Sequence, residues 1–223
     1  MSVNIAIDGP AGAGKSTIAK LLAKKYGYVY VDTGAMYRAL ALYFVENNVA
    51  LHDEKAVEGC LDAIEVSIAY QDGTQHIFLN GRDVSSEIRQ EEIGNAASTT
   101  SVYPEVRKKL LSLQRDMAAN TDCVMDGRDI GSFVLPDAQV KIFLTASVET
   151  RAKRRYNELL EKNEPADLEK ISQDIIERDE RDMNRKIAPL VEAEDAHRVD
   201  SSAMSIDEVV HTISEIVDKV NAR

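Results

Sequence analysis

Five short apolar runs punctuate the chain, at Val3–Ile7, Tyr28–Val31, Cys123–Met125, Val140–Leu144 and, more weakly, His197–Val199. Amphipathic stretches of helical period separate them, and strands alternating with helices predict a parallel α/β sheet. Between the first two runs, Ile18, Leu21, Leu22 and Tyr26 recur at helical spacing over Lys15–Tyr26, and Gly27 is placed to cap that helix. Pro104 opens a second helix, with Val106, Leu110, Leu113 and Met117 on one face. The last pattern is the strongest. Ser205 with Glu208 reads as a capping box, followed by Val209, Val210, Ile213, Ile216, Val217 and Val220 on one side.

From about Gly59 to Asn95 the rhythm changes. Ile64, Val66, Ile68 and Tyr70 alternate with Glu65, Ser67 and Ala69, a period of two. Asp72-Gly73 then leads to Ile77 and Leu79, and Asn80-Gly81 follows. Such dipeptides flanking alternating strands are hairpin signals, so a small antiparallel insert on the parallel core is predicted. Lys162–Asp167, which contains Pro165, is the nearest thing to a linker, between two helical patterns.

A chain of 223 residues suits one α/β domain with an elaboration, and its 44% hydrophobic content fits a compact fold. The formal net charge of −11 opposes nonspecific binding to nucleic acid or anionic lipid, so any anionic ligand must be held by a local basic pocket. The chain has no apolar run of membrane-spanning length, about 18 residues, and its first residues, MSVNIAID, show no secretory pattern. A soluble cytoplasmic protein is expected, without nucleic-acid or membrane partners. Cys60 and Cys123 match neither a disulfide framework nor a metal spacing, and the four histidines form no cluster.

The clearest chemistry lies after the first strand. Gly9, Pro10, Ala11, Gly12, Ala13, Gly14, Lys15 and Ser16, followed by Thr17, match the G-x-x-x-x-G-K-[ST] pattern between a predicted strand and a predicted helix. Glycines let the backbone wrap phosphate oxygens, and the helix N-terminus adds partial positive charge. Lys15 supplies a mobile cation for the β- and γ-phosphates, and Ser16 a hydroxyl for Mg²⁺. A nucleoside triphosphate is the implied ligand. Neither N-K-x-D nor D-x-x-G occurs, which argues against a guanine-nucleotide switch.

The arginines suggest what is done with the triphosphate. In the predicted helix Ile171–Lys186, Arg178, Arg181, Asp182 and Arg185 share an arc of roughly 100°, with Asp179 and Glu180 off it. A second cluster, Arg151, Arg154 and Arg155, precedes it across the Pro165 connection. Two readings stand: solvated faces with pairs such as Arg178–Asp182, or a lid whose planar guanidinium forks close on a transferring phosphoryl group. Asp32–Arg38 follows the second strand and Asp126–Asp129 the third, placing Arg38 and Arg128 at carboxyl ends of strands, where ligands of such sheets bind. Asp126, at the end of an apolar strand, reads as a helper of Mg²⁺ through water or, nearly as well, as a helix cap or turn former.

Taken together, Gly9–Thr17, Asp32–Arg38, Asn95–Ser98, Asp126–Asp129 and Glu177–Arg185 resemble the bacterial cytidylate kinases over essentially the whole chain. The phosphate loop belongs to a very large superfamily. D-[ST]-G-A-x-Y-R, N-A-A-S, D-G-R-D and E-R-D-x-R-D-x-N-R together are far more specific. The resemblance implies a P-loop core with a five-stranded parallel sheet flanked by helices (1–35, 103–150 and 187–223). It adds a monophosphate-binding arm with the antiparallel insert (about 36–102) and a helical lid with flanking helices (about 151–186). It implies ATP-dependent phosphoryl transfer to CMP and dCMP, with Mg²⁺, by a monomer. Arg38, Arg128 and Arg185 then clamp the monophosphate, Arg178 and Asp182 hold the ribose, and Ser98, Arg107 and Asp129 read the base. Asp32, Thr33 and Tyr37 join the monophosphate side, and Lys15, Arg128, Arg151, Arg155 and Arg185 the transferring group. The alternatives are another small-molecule P-loop kinase, acting on uridylate, adenylate or a metabolite hydroxyl, and a noncatalytic ATP-binding switch.

Overall fold

The computed structural model describes residues 2–71 and 73–221. The five apolar runs form one parallel sheet: β1 (Asn4–Asp8), β2 (Val29–Asp32), β6 (Cys123–Gly127), β7 (Val140–Thr145) and β8 (His197–Asp200), in the order β2-β6-β1-β7-β8. Strand alternation sends Ile5 and Ile7 to one face and Ala6 to the other, and both faces are covered, as a parallel sheet requires. One face packs on α1 (Lys15–Tyr26) and α8 (Ile206–Asn221); the other packs on α2 (Thr33–Glu46), α4 (Glu91–Thr100) and α5 (Pro104–Asn120).

Local signals explain most boundaries. Helix α1 ends where Gly27 adopts a left-handed φ of 70° and its N–H bonds Ala23 O. Ser205 and Glu208 bond each other's backbone N–H at the start of α8, the predicted capping box. The predicted helix 171–186 is α7 (Leu168–Asn184); it begins earlier because the Asp167 carboxylate accepts from the N–H groups of Glu169 and Lys170. It also ends before Arg185, whose ψ of 144° is extended, so Arg185 leaves the helical stripe on which its spacing placed it. The second arginine cluster lies on α6 (Val148–Glu161).

The insert is a second sheet of β3 (Val66–Gln71), β4 (Thr74–Leu79) and β5 (Arg82–Asp83), antiparallel throughout. Asp72, half of its first turn signal, lies outside the described residues; Gly73 has φ 74°, and Asn80 and Gly81 are both left-handed. Between the two sheets runs α2, capped by Asp32, which accepts from Ala35 N–H. The hairpin is tied to β2, an edge strand of the main sheet. Gln75 accepts from Asp32 N–H at 2.9 Å and donates to Asp32 O at 3.3 Å, and Tyr70 Oη donates to Tyr30 O. Short helices α3 (Glu54–Glu58), Leu61–Ala63 and Glu87–Arg89 connect the insert to the core. No helix of the described residues is long and apolar enough to cross a membrane.

Candidate active site

The carboxyl ends of three adjacent strands, β1, β6 and β2, carry the loop Gly9–Gly14, the segment Asp126–Asp129 and Asp32. The loop is set by its backbone. Gly9 has φ 148°, and a Cβ there would lie 1.9 Å from Leu144 O; Gly12 and Gly14 have φ 75° and 93°. Lys15 is buried and donates to Pro10 O at 2.7 Å. Burial and the neighbouring Arg128 guanidinium lower its pKa well below the usual lysine range, against the pull of Asp126, Asp182 and Asp8. An anionic polyphosphate beside it would restore that charge.

At the exposed start of α1, Ser16 Oγ donates to Asp126 Oδ2 at 2.9 Å, while Tyr30 Oη donates to Asp126 Oδ1 at 2.9 Å. Burial, reinforced by nearby Asp32, pushes Asp126 up to about 6. Asp126 is therefore neither a cap nor a surface turn residue but a buried acid touching the loop. Asp8, the last residue of β1, is also pushed up to about 6 by burial. No cluster of three or more His, Cys, Asp or Glu side chains suited to a metal occurs among the described residues. A hydroxyl and one carboxylate at the mouth of a phosphate loop suit Mg²⁺, which keeps waters and takes phosphate oxygens rather than an all-protein cage.

Beyond the loop the guanidinium groups are held by carboxylates. Asp32 accepts from Arg38 and from Arg89, each at 3.1 Å. Asp182 accepts from Arg128 Nε at 2.8 Å. Asp129 is shared by two buried arginines: Oδ1 accepts from Arg185 at 2.9 Å and Oδ2 from Arg107. Arg107 also lies 5.6 Å from the Tyr37 ring centroid, and Arg185 Nε donates to Ala188 O. Arg178 has a buried Nε without a hydrogen-bond partner, and burial and Arg128 lower its pKa to about 10. Thr33 Oγ1 donates to Asp126 O, and Ser98 Oγ accepts from Arg181 at 2.9 Å.

The residues singled out in the sequence fall into distinct settings. Lys15, Arg128, Asp126 and Asp182 are near enough to act on one another's charge, and the Arg107–Asp129–Arg185 group continues from the same strand end. Arg151 and Arg155 are placed differently. Arg151 is buried, donating to Ala11 O in the loop, to Ala146 O and to Asp179, which lies off the arginine stripe. Arg155 is one third exposed and pairs with Glu91 of α4 and Glu158. The residue of that cluster that joins Arg151 at the loop is Arg154, which donates to Ala13 O and Ser201 O. Sequence reasoning passed over Asp8 and Arg89. The signal for Asp8 was a carboxylate ending an apolar strand directly before the loop; Arg89, in a short helix of the insert region, had none.

Residues 5–219 match the family described as Cytidylate kinase. The chain is 49% identical over 218 residues to the cytidylate kinase of Caldicellulosiruptor bescii, covering 98% of this chain and 96% of that protein. It is 50% identical over 217 residues to that of Lactobacillus johnsonii, covering 97% and 94%. In structure it is similar to an uncharacterized protein from Eubacterium ventriosum, with a TM-score of 0.52 at 14% identity, covering 97% and 99%; that likeness concerns the fold alone.

Proposed function

From the premise that this chain belongs to the cytidylate kinase family, and is therefore a kinase acting on nucleoside monophosphates, we propose that it transfers the γ-phosphoryl group of ATP to CMP and dCMP. The observation that carries this reading is the buried Asp129 carboxylate, shared between Arg107 and Arg185 beside the phosphate loop. Cytosine presents an exocyclic amine next to two acceptors, N3 and O2. Asp129 accepts from the amine, and Arg107 donates to the acceptors, with Ser98 beside them. Uracil reverses that edge, leaving buried groups unpaired at roughly 1–3 kcal/mol each. Arg38, Arg128 and Arg185 take the monophosphate, and Arg178 with Asp182 the ribose.

The acceptor oxygen of a monophosphate is anionic near neutral pH, so no general base is needed. The protein's work is in-line positioning and neutralisation of charge on the transferring group. Lys15 meets the donor phosphates together with backbone N–H groups of Ala11–Thr17. Arg128 and Arg185 exchange carboxylate partners for phosphoryl oxygens, and their forks match those oxygens in pairs. Ser16, with Asp126 behind it, is where Mg²⁺ would be held, and the ion would supply charge neutralisation for the donor phosphates. Residues 36–102 act as the monophosphate arm and 151–186 as a lid on the remaining core. Arg155–Glu91 and Arg181–Ser98 are contacts between the two, and their closure excludes water as a competing acceptor. A single copy carries every residue required, and a monomer in the cytoplasm suffices.

The test is a coupled assay with ATP and Mg²⁺ against CMP, dCMP, UMP and AMP. CMP and dCMP should lead, with kcat/KM for UMP lower by about tenfold or more. Equal use of UMP or AMP would replace the cytosine reading with a less selective kinase. ATP binding without transfer to any of the four would overturn it.

A further inference from the structure

Asp8 is 4% exposed and faces no cation within ion-pair distance among the described residues. A buried carboxylate without a counter-charge is costly, and something specific must hold it. Its two oxygens accept from the backbone N–H groups of Ile130 and Gly131, each at 2.7 Å. Those are the first two N–H groups of the π-helical turn Ile130–Val134; farther along it Phe133 and Val134 donate to Asp129 O, and Leu135, just after it, donates to Ile130 O.

The residue placed to cap this turn is Asp129, an aspartate at the preceding position, where its type is strongly favoured. Asp129 makes no such bond; its carboxylate is turned instead to Arg107 and Arg185. We propose that Asp8 is a positioning residue: by capping the Ile130–Val134 turn from the neighbouring strand, it leaves the Asp129 carboxylate free to read the nucleobase. The inference rests on the base-reading role given to Asp129 above. Asp8 is suited to the task because β1 is central and pairs it with Gly127 on one side and Phe143 on the other, so its backbone is fixed on both sides. It also precedes Gly9, whose close approach to Leu144 O fixes the start of the phosphate loop. One rigid residue thus registers the donor loop against the acceptor-reading turn. Its negative charge further disfavours a return of Asp129 toward the same amides.

The test is Asp8→Asn, which keeps the shape but presents one acceptor and one NH₂ group to two N–H donors. Amide exchange at Ile130 and Gly131 should quicken, and the ratio of kcat/KM for CMP over UMP should fall about tenfold. KM for CMP should rise by more than KM for ATP, all measured below the melting temperature. Because Asp8 acts through Asp129, adding Asp8→Asn to Asp129→Ala should change the ratio no further. A purely structural role would lower the melting temperature and leave the ratio and the KM split unchanged, which overturns the proposal; additive effects in the double variant overturn it too. A wild-type enzyme without preference for CMP would instead overturn the base-reading assignment, before any variant is made, and this inference with it.

Discussion

The two halves of the site are built on opposite plans. The phosphate loop is one run of consecutive residues, Gly9–Ser16, shaped by backbone conformation and by one close approach to Leu144 O. The proposed acceptor side is assembled from α2, α4, α5, the end of β6, α7 and the residue following α7, and ion pairs between side chains distant in sequence hold it together. A backbone cradle draws its donors from N–H groups common to nearly all residues, so what it cannot lose is its conformation, which Gly9, Gly12 and Gly14 hold with positive φ. A cage of ion pairs cannot lose a side chain, because removing one partner leaves the other buried and unpaired.

Breaking the proposed donor half at Lys15 should give the largest effect. Lys15→Ala should lower kcat by about 10²–10³-fold with every acceptor, as steady-state rates with CMP, dCMP and UMP would show, because the lost charge acts on the donor. Unequal losses among acceptors would dissolve the distinction between the halves. On the other side, Asp129→Ala should narrow the CMP-over-UMP ratio by roughly tenfold while ATP affinity, read by calorimetry, hardly moves. An unchanged ratio would remove Asp129 from base reading.

The smallest effect concerns Asp126, where the halves meet. Its carboxyl titrates near the ordinary 3.8 when unfolded and at about 6 when folded, because burial and Asp32 disfavour the anion. Its stabilising contribution is therefore complete below pH 3.8 and is lost as pH rises through about 6. Asp126→Asn should lack this decline, so the melting temperature of the variant relative to wild type should climb by several degrees between pH 4 and pH 7. A flat difference would mean that burial in the fold does not raise the pKa of Asp126.

The same contrast explains what could be read in advance. The strand runs, α1 with Gly27, the insert and the capping box of α8 are local patterns, and each matches an observed element closely. Helix α2 escaped because Thr33, Ala35, Met36, Ala39, Leu40, Ala41, Leu42 and Phe44 are buried between two sheets, which leaves no polar stripe to mark a period. The turn Ile130–Val134 escaped because its cap comes from a different strand. In the site, Lys15 and Ser16 were legible as a motif, and Arg107, Ser98 and Asp129 only through family resemblance. Which carboxylate holds which arginine was not legible, since Asp129–Arg185 and Arg151–Asp179 join positions 56 and 28 residues apart.

The amide of Gln75 has a consequence for life at high protein concentration. Exposed sheet margins invite copies of a chain to stack strand upon strand into fibres. Here a glutamine side chain impersonates a neighbouring peptide unit, offering Asp32 both an acceptor and a donor while a phenol occupies Tyr30 O. Trimming the hairpin away would therefore do more than shorten an arm: it would uncover a sticky border on which copies of the chain could stack.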